Sequence, residues 1–478
     1  VPETAGRLPD GSLADRPLPD TPATGPAADA SVDPAAHPPV DPPVDPAIGP
    51  PVDPAVDPAV GPPGTLRLPP RVHFGPGSRA LLPEVVAPHG RRVFAVVDPF
   101  LASTPHVTAV LDALTAAGLE VCAYTGITPE LPVGTLDDAA RRAREFGARV
   151  VLAIGGGSAL DAAKLIALLC LHEGPPERYY GENLVPGPVL PVVAVPTTAG
   201  TGSEVTPVAV VSDPDRELKV GVSSPFLVPA AAVVDPELTL GAPRTVTAYS
   251  GIDALVHAAE SYTARPLPAG AQRPLPVFTG RNALAEPVAL RAAGELGPWL
   301  PVAVREPGSR SARYRVALGA LLAGMAFGST GTHLCHALQY PIGALTGTPH
   351  GLGTGLLLPY VLDTLRSDPG TAARVAAFGA ALEHLPAQEA SAGRTVARVA
   401  EINAAIGVPV TLAELGVGKD QLADLAELGL RSTRLLAIAP LEPSRDLLLD
   451  ILSRAHAGIL DGAMVTKGAN VRVARTHT

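Results

Sequence analysis

Cysteine is scarce in this chain of 478 residues: Cys122, Cys170 and Cys335 are the whole complement, and no two stand in a CxxC spacing. That excludes a disulfide framework and a thiolate metal cage, and it points to a reducing, cytoplasmic setting. Aromatic residues make up only 4%, and cations are outnumbered, 36 Lys plus Arg against 46 Asp plus Glu, for a net charge of -10. A surface of that sign repels phosphate backbones and anionic lipid, so neither nucleic acid nor a membrane is an expected partner. The opening VPETAGRLPD has no basic start followed by an apolar run, and no secretory leader is read from it. The longest mostly apolar stretch, Val316 to Ala344, is broken by His333, His336, Gln339 and several glycines. It reads as buried core and not as a membrane span. The GxGxxG fingerprint of the ordinary dinucleotide-binding fold is also missing.

What is present divides the chain into three parts. Residues 1–64 hold 18 of the 55 prolines, no aromatic residue, and the tripeptide Val-Asp-Pro at Val32, Val40, Val44, Val52 and Val56. Proline removes backbone donors and fixes φ while the aspartates repel one another, so a disordered, solvated arm is expected there. Over residues 65–243 short β-rich runs alternate with Ala-rich helical segments, which predicts an α/β nucleotide-binding domain on a parallel, Rossmann-like sheet. The runs 92–97, 150–154 and 192–195 are apolar on both faces, as strands covered by helices on each side should be. Beyond Pro243 the strand signal ends and helical periodicity takes over, predicting an all-helical domain over residues 244–478.

Two glycine-rich segments follow strand-like runs. Gly155-Gly156-Gly157-Ser158 leads straight into a helical stretch, where free N–H groups favour an anion and glycine lets a ligand approach closely. The same four residues also suit an ordinary tight turn. The run Pro196 to Glu204, rich in Thr and Gly, should emerge at the same carboxyl edge of the sheet, and two polar loops at one edge form a crevice. Asp98 closes the run 92–97. Its carboxylate fits either a ribose hydroxyl, which would favour NAD over NADP, or a cap of the turn before Pro99.

A second set of residues has the chemistry of metal ligands. Asp253 and His257 stand four apart in a helical stretch and project from one face, and His336 and His350 follow in apolar surroundings. One carboxylate and three imidazoles suit a borderline divalent ion, Fe2+ or Zn2+, with a coordination position left for a substrate oxygen. Such groups are expensive to bury without a cation. His333, one turn before His336, is assigned a supporting role outside that set.

In this order, GGGSALDAAK, PTTAGTGSEVTP, VVDPELT, GIDALVHAAESY and HALQYPIGALTGTPHG resemble the iron-containing, or group III, alcohol dehydrogenase family from about Leu66 to the C-terminus. The resemblance implies a nucleotide domain followed by a helical metal domain, with NAD and iron as cofactors. It implies Asp253, His257, His336 and His350 as the metal ligands. It places Gly156, Gly157 and Ser158 at the pyrophosphate, Thr197, Thr198 and Ser203 along the cofactor, Lys219 near the nicotinamide ribose and Asp98 at the adenosine ribose. Many members carry a histidine where this chain has Tyr340, a position that faces the nicotinamide. A phenol with an ordinary pKa of about 10 can relay a hydrogen bond but is a poor base near neutrality.

The implied activity is hydride transfer between NAD(H) and a small alcohol or its carbonyl partner, with a homodimer as the expected assembly. The segment Phe278 to Asn282 and the run His333 to His336 with Tyr340-Pro341 are similar to the hydroxyacid-oxoacid transhydrogenase branch, which suggests an acid substrate; Arg281 suits either its carboxylate or a solvated place in a Pro-rich loop. Two further readings stand beside these. A lyase of the dehydroquinate synthase type shares the architecture but uses a Glu with two His, and a scaffold that has merely kept the fold would have no need of four ligand-type residues.

Overall fold

A computed structural model describes residues 64–216, 219–267 and 275–460, together with the strand Ala463–Met464. The expected arm, Gly64 apart, lies outside the described residues.

Among the described residues, nine strands occupy the first half: β1 (Val72–Phe74), β2 (Arg92–Val97), β3 (Glu120–Tyr124), β4 (Val150–Gly155), β5 (Gly181–Glu182), β6 (Val192–Pro196), β7 (Val208–Val211), β8 (Val220–Ser223) and β9 (Ala231–Val234). Six of them form a parallel sheet in the order β1-β9-β6-β4-β2-β3. The helices α1 (Leu82–Val86), α2 (Pro105–Ala116), α3 (Gly134–Phe146) and α4 (Gly157–Leu171) are wound around it. Alternate side chains of the central strands enter two separate cores. Phe94, Val96, Val151 and Ala153 join one, while Val93, Ala95, Leu152 and Ile154 join the other. This is why the three central runs read as continuously apolar in the sequence: burial on both faces leaves no polar face to alternate with. The small sheet β5-β8-β7 lies apart from the six-stranded one, and its two- and four-residue strands are too short to leave a period in the sequence.

Chain order sets the position of the crevice. From β2 the chain goes outward to β3 and then returns to β4 on the other side of β2, so the strand order reverses between β2 and β4. Register then aligns the strand ends. Val97 pairs with Ile154 and Gly155 with Pro196, which brings Asp98, Gly156 and Thr197 to one carboxyl edge.

The second half is helical: α5 (Arg244–Thr263), α6 (Glu286–Arg305), α7 (Arg310–Thr330), α8 (Leu334–Thr346), α9 (His350–Leu365), α10 (Pro369–Glu383), α11 (Ala392–Ile406), α12 (Leu422–Leu430), α13 (Thr433–Leu436) and α14 (Arg445–Ala457). Among the described residues, the departure from an all-helical half is a hairpin of two-residue strands, Ile459–Leu460 with Ala463–Met464. From Gly251 to Thr263 every residue of α5 is buried, because α6, α7 and α9 pack around it. A helix enclosed in this way has no solvated face. Val316 to Ala344 divides into α7 and α8 at Gly331, whose φ of 88° is easy only for glycine. No helix among the described residues is long and apolar enough to cross a membrane.

The sheet half and the helical half meet without side chains at one point. A Cβ on Gly324 of α7 would stand 2.7 Å from the Cα of Gly202, and a Cβ on Gly202 would stand 2.5 Å from the Cα of Gly324. Gly324→Ala therefore sets a helix-propensity gain of about 1 kcal/mol against a backbone clash of about 1–3 kcal/mol or more. We expect the clash to win and the urea midpoint of unfolding to fall; a midpoint at or above that of the parent would refute this account of the junction.

Candidate active site

Asp253 and His257 lie one turn apart on α5, His336 is the third residue of α8 and His350 the first of α9. Three helices thus bring together residues almost a hundred positions apart. Ligand atoms of Asp253, His257 and His336 lie within 4.8 Å of one another. Asp253 is the hub. One of its oxygens is 3.7 Å from His257 Nε2, and the other is 3.9 Å from His336 Nε2 and 3.8 Å from His350 Nε2. His350 stands outside the tight group of three and is the most exposed of the four. Thr354, one turn along α9 from His350, donates to Asp253 Oδ1 at 2.8 Å and fixes the carboxylate.

The electrostatics keep these groups in the form a cation requires. Burial, only partly opposed by Asp253, lowers the imidazole of His257 to about 4 and that of His350 to about 3, so both are neutral. Burial works against ionisation of Asp253 too, but its attraction to His257, His350 and His336 whenever these carry a proton, together with the Thr354 hydroxyl, outweighs burial and holds the carboxyl below its ordinary value. His257 is further packed by Phe327, whose ring centroid lies 4.1 Å from its own.

Behind His336 is a residue that the sequence reading passed over. Glu260, fully buried one turn beyond His257, accepts from His336 Nδ1 at 2.6 Å and from the backbone N–H groups of Cys335 and His333 at 2.6 and 2.9 Å. Burial opposes its charge, yet His333 and His336 hold it well below the ordinary carboxylate range. Its spacing from His257 was a usable signal: a glutamate at i+3 from a candidate ligand, inside a segment with no polar face, needs a buried partner. His333 caps α8, with Nδ1 accepting from Leu334 N–H at 2.8 Å and Nε2 2.9 Å from Thr263 Oγ1.

The donor set fits a divalent cation. With its Nδ1 held by Glu260, the buried Nε2 of His336 has no hydrogen-bond partner among the described residues and faces Asp253. Bonds of roughly 2.0–2.2 Å to nitrogen and oxygen bring neighbouring ligands to roughly 3–4 Å from one another, the separation seen around Asp253.

A cavity of about 250 Å³ opens beside this cluster, lined by all four residues and by Gly157, Ser158, Ser203, Lys219 and Tyr340. Gly157 and Ser158 also line a second cavity that contains Asp98, Phe100 and Gly156. The N-terminus of α4 is therefore the bridge between them. Glycine is required here by space: a Cβ on Gly157 would lie 2.7 Å from Thr201 Cγ2, and one on Gly155 would lie 2.9 Å from Asp98 Cβ. Ser203 Oγ donates to Asp161 Oδ1 at 2.5 Å, and Val210 N–H donates to Asp161 Oδ2 at 2.9 Å, which ties the second glycine-rich loop to α4.

The remaining candidates are placed less directly. Asp98 Oδ1 accepts from Phe100 N–H at 2.9 Å, so it does cap its turn while lining the second cavity. Thr198 packs beside Gly156, and buried Thr197 is held by its N–H to the Gly155 carbonyl; neither lines the larger cavity. Lys219 lines it while paired with Glu130. Tyr340 stacks 5.9 Å from the His350 ring, and burial raises its phenol above the ordinary value. Arg281 pairs with Glu286 at 3.1 Å and is not among the residues lining the cavity.

A nucleotide-type helix start facing a cluster of nitrogen and oxygen donors across one cleft defines a class, the oxidoreductases that combine a dinucleotide with a metal. Known proteins bear this out. Residues 69–236 match the family described as iron-containing alcohol dehydrogenase, and residues 247–456 match the C-terminal part of the Fe-containing alcohol dehydrogenase family. The chain is 34% identical over 400 residues to long-chain-alcohol dehydrogenase 1 of Geobacillus thermodenitrificans, covering 82% of this chain and 96% of that one. Its fold matches a crystal structure of 1,3-propanediol oxidoreductase with a TM-score of 0.75 at 27% identity, over 82% of this chain and all of that one. It also matches sulfoacetaldehyde reductase from Bifidobacterium kashiwanohense in complex with NAD+, with a TM-score of 0.70 at 27% identity, over 82% of this chain and 98% of that one. The chain belongs to the iron-containing alcohol dehydrogenase family. It is an oxidoreductase acting on CH–OH groups.

Proposed function

We propose that this enzyme interconverts a small alcohol and its aldehyde or ketone with NAD(H), at a divalent cation held by Asp253, His257, His336 and His350. The observation that carries the reading is the continuity of the cleft: the cavity at the four-residue cluster and the cavity at Asp98 share Gly157 and Ser158. A dinucleotide laid along it has its pyrophosphate at the N-terminus of α4, against Gly156, Gly157 and Ser158. Its adenosine ribose then meets Asp98, which would repel a 2′-phosphate, and its nicotinamide end lies near Ser203 and Lys219. Thr197 and Thr198 support the loop beside Gly156.

Fe2+ or Zn2+ held by Asp253, His257, His336 and His350 would supply Lewis-acid chemistry toward the carbonyl oxygen, and a nicotinamide in the cleft would supply or accept the hydride. The protein's share is orientation. Glu260 and Thr354 aim the ligand set, and Phe327 and Phe278 keep water away from the reacting carbon. Tyr340 is a hydrogen-bond relay and not a base, because burial disfavours its phenolate. We further propose a cytoplasmic enzyme, in keeping with three free cysteines, and a homodimer, which light scattering would read.

The test is a panel of short aldehydes and alcohols with NADH, NADPH and their oxidised forms, using full-length protein reconstituted anaerobically with Fe2+ or Zn2+. Turnover that favours NAD(H) and stops on chelation is the expected result. Inactivity with every metal and cofactor would remove the proposal. Continued turnover without added nicotinamide would instead identify the transhydrogenase.

A further inference from the structure

The cavity at the donor cluster opens into a wider one, and the two share Lys219, Phe278, Tyr340 and Arg434. These four side chains therefore line a mouth between the two cavities. Two of them are cationic, and their circumstances differ. Lys219 is already paired with Glu130. Arg434, half-buried on the short helix α13, has no carboxylate or hydrogen-bond partner among the described residues, and its guanidinium carbon stands 4.7 Å from the centre of the Phe278 ring.

An arginine held against an aromatic face keeps its planar fork of N–H donors free for an anion. On the inner side its wall is apolar, made by Phe278, Phe327, Val208 and Val210, and Tyr340, which burial raises and Arg434 lowers, stays a neutral phenol near neutrality; of the two acids lining the wider cavity, Glu177 and Glu182, the latter accepts from Val277 N–H at 3.1 Å. The acidic groups of the inner cavity are otherwise occupied. Asp253 sits among three histidines, Asp161 holds Ser203 and Val210, and Glu130 holds Lys219.

We propose that Arg434 anchors a carboxylate carried by the substrate at the end remote from its carbonyl, so that short ω-oxo acids and the corresponding ω-hydroxy acids are the preferred substrates. This rests on the dehydrogenase reading given above. The expected geometry is a carbonyl at the donor cluster and a carboxylate gripped by two parallel N–H···O bonds at the mouth. Arg281, paired with Glu286 away from the cavity, does not supply that contact.

The experiment compares a homologous series of short ω-oxo acids, each against the uncharged aldehyde of the same carbon count, using the metal-reconstituted full chain and NADH. For at least one length, kcat/KM should favour the acid by about tenfold or more, the scale of one charge-assisted, two-pronged contact. Arg434→Met should collapse that ratio to about one, mainly through KM for the acid. Arg434→Lys should retain part of it, since an ammonium keeps the charge without the fork, and Arg434→Glu should invert it. Preference for the neutral aldehyde at every length in the parent enzyme would overturn the proposal, as would an unchanged ratio in Arg434→Met. A loss shared equally by both substrates, with a higher KM for NADH, would reassign Arg434 to the cofactor and so also overturn it. Failure to reduce any aldehyde would sink the dehydrogenase reading itself, an outcome distinct from active enzyme without acid preference.

Discussion

His336→Ala is expected to purify with less than about a tenth of the parent's bound metal, and to lose at least about 10³-fold in kcat/KM under conditions where the parent is fully loaded. The substitution removes the proposed ligand whose Nε2 has no hydrogen-bond partner among the described residues, since its Nδ1 is the atom that Glu260 holds. A site left with fewer donors binds a borderline ion poorly. A carbonyl no longer polarised loses electrostatic stabilisation that is commonly worth about 3–4 kcal/mol or more in the transition state. The fold should survive, because the substitution leaves every apolar side chain of the helical core in place. Atomic emission on the purified protein and circular dichroism separate the two questions. The parent should also be stabilised by metal, by about 2.7 kcal/mol at one hundred times Kd, and the variant should show almost none of that gain. Parent-like metal content in the variant would remove His336 from the ligand set.

Glu260→Gln tests the support beneath that ligand. The carboxylate serves three donors at once, His336 Nδ1 and the N–H groups of Cys335 and His333, with its two oxygens. An amide has one oxygen, and its NH₂ would confront N–H groups that also donate. At least one buried donor is then left unpaired, at about 1–3 kcal/mol. His336 also loses the partner that fixes its tautomer and raises its basicity. We expect metal affinity to fall about 10–100-fold and the urea midpoint to fall with it. Calorimetric titration of the metal-free protein at one pH gives the first quantity and chemical denaturation the second. An affinity within about twofold of the parent would show that Glu260 is only a packing residue.

The element pattern was largely legible because the forces behind it are local. Strands buried on both faces leave uninterrupted apolar runs, as at 92–97, and the end of the strand signal at Pro243 coincides with the start of α5 at Arg244. Asp253 and His257 could be read as a pair because a helix fixes which residues share a face. The short sheet β5-β8-β7 could not be, as two- to four-residue strands carry no period. Glu260 was missed for a related reason. The segment around it has no polar face, but which donors its carboxylate holds is visible only once α8 is packed against it.

By itself the sequence determined which residue types are available and where the long buried strands give way to helices, since periodicity and two-sided burial act over a few neighbouring positions. It also carried the motifs that identify the family. Only the tertiary structure decided that Asp253 is the hub of the cluster, that Arg281 faces Glu286 while Arg434 faces the cleft, and that Gly157 and Ser158 join two cavities. Those facts depend on how separate elements pack, and packing is set by the whole core and not by any one segment.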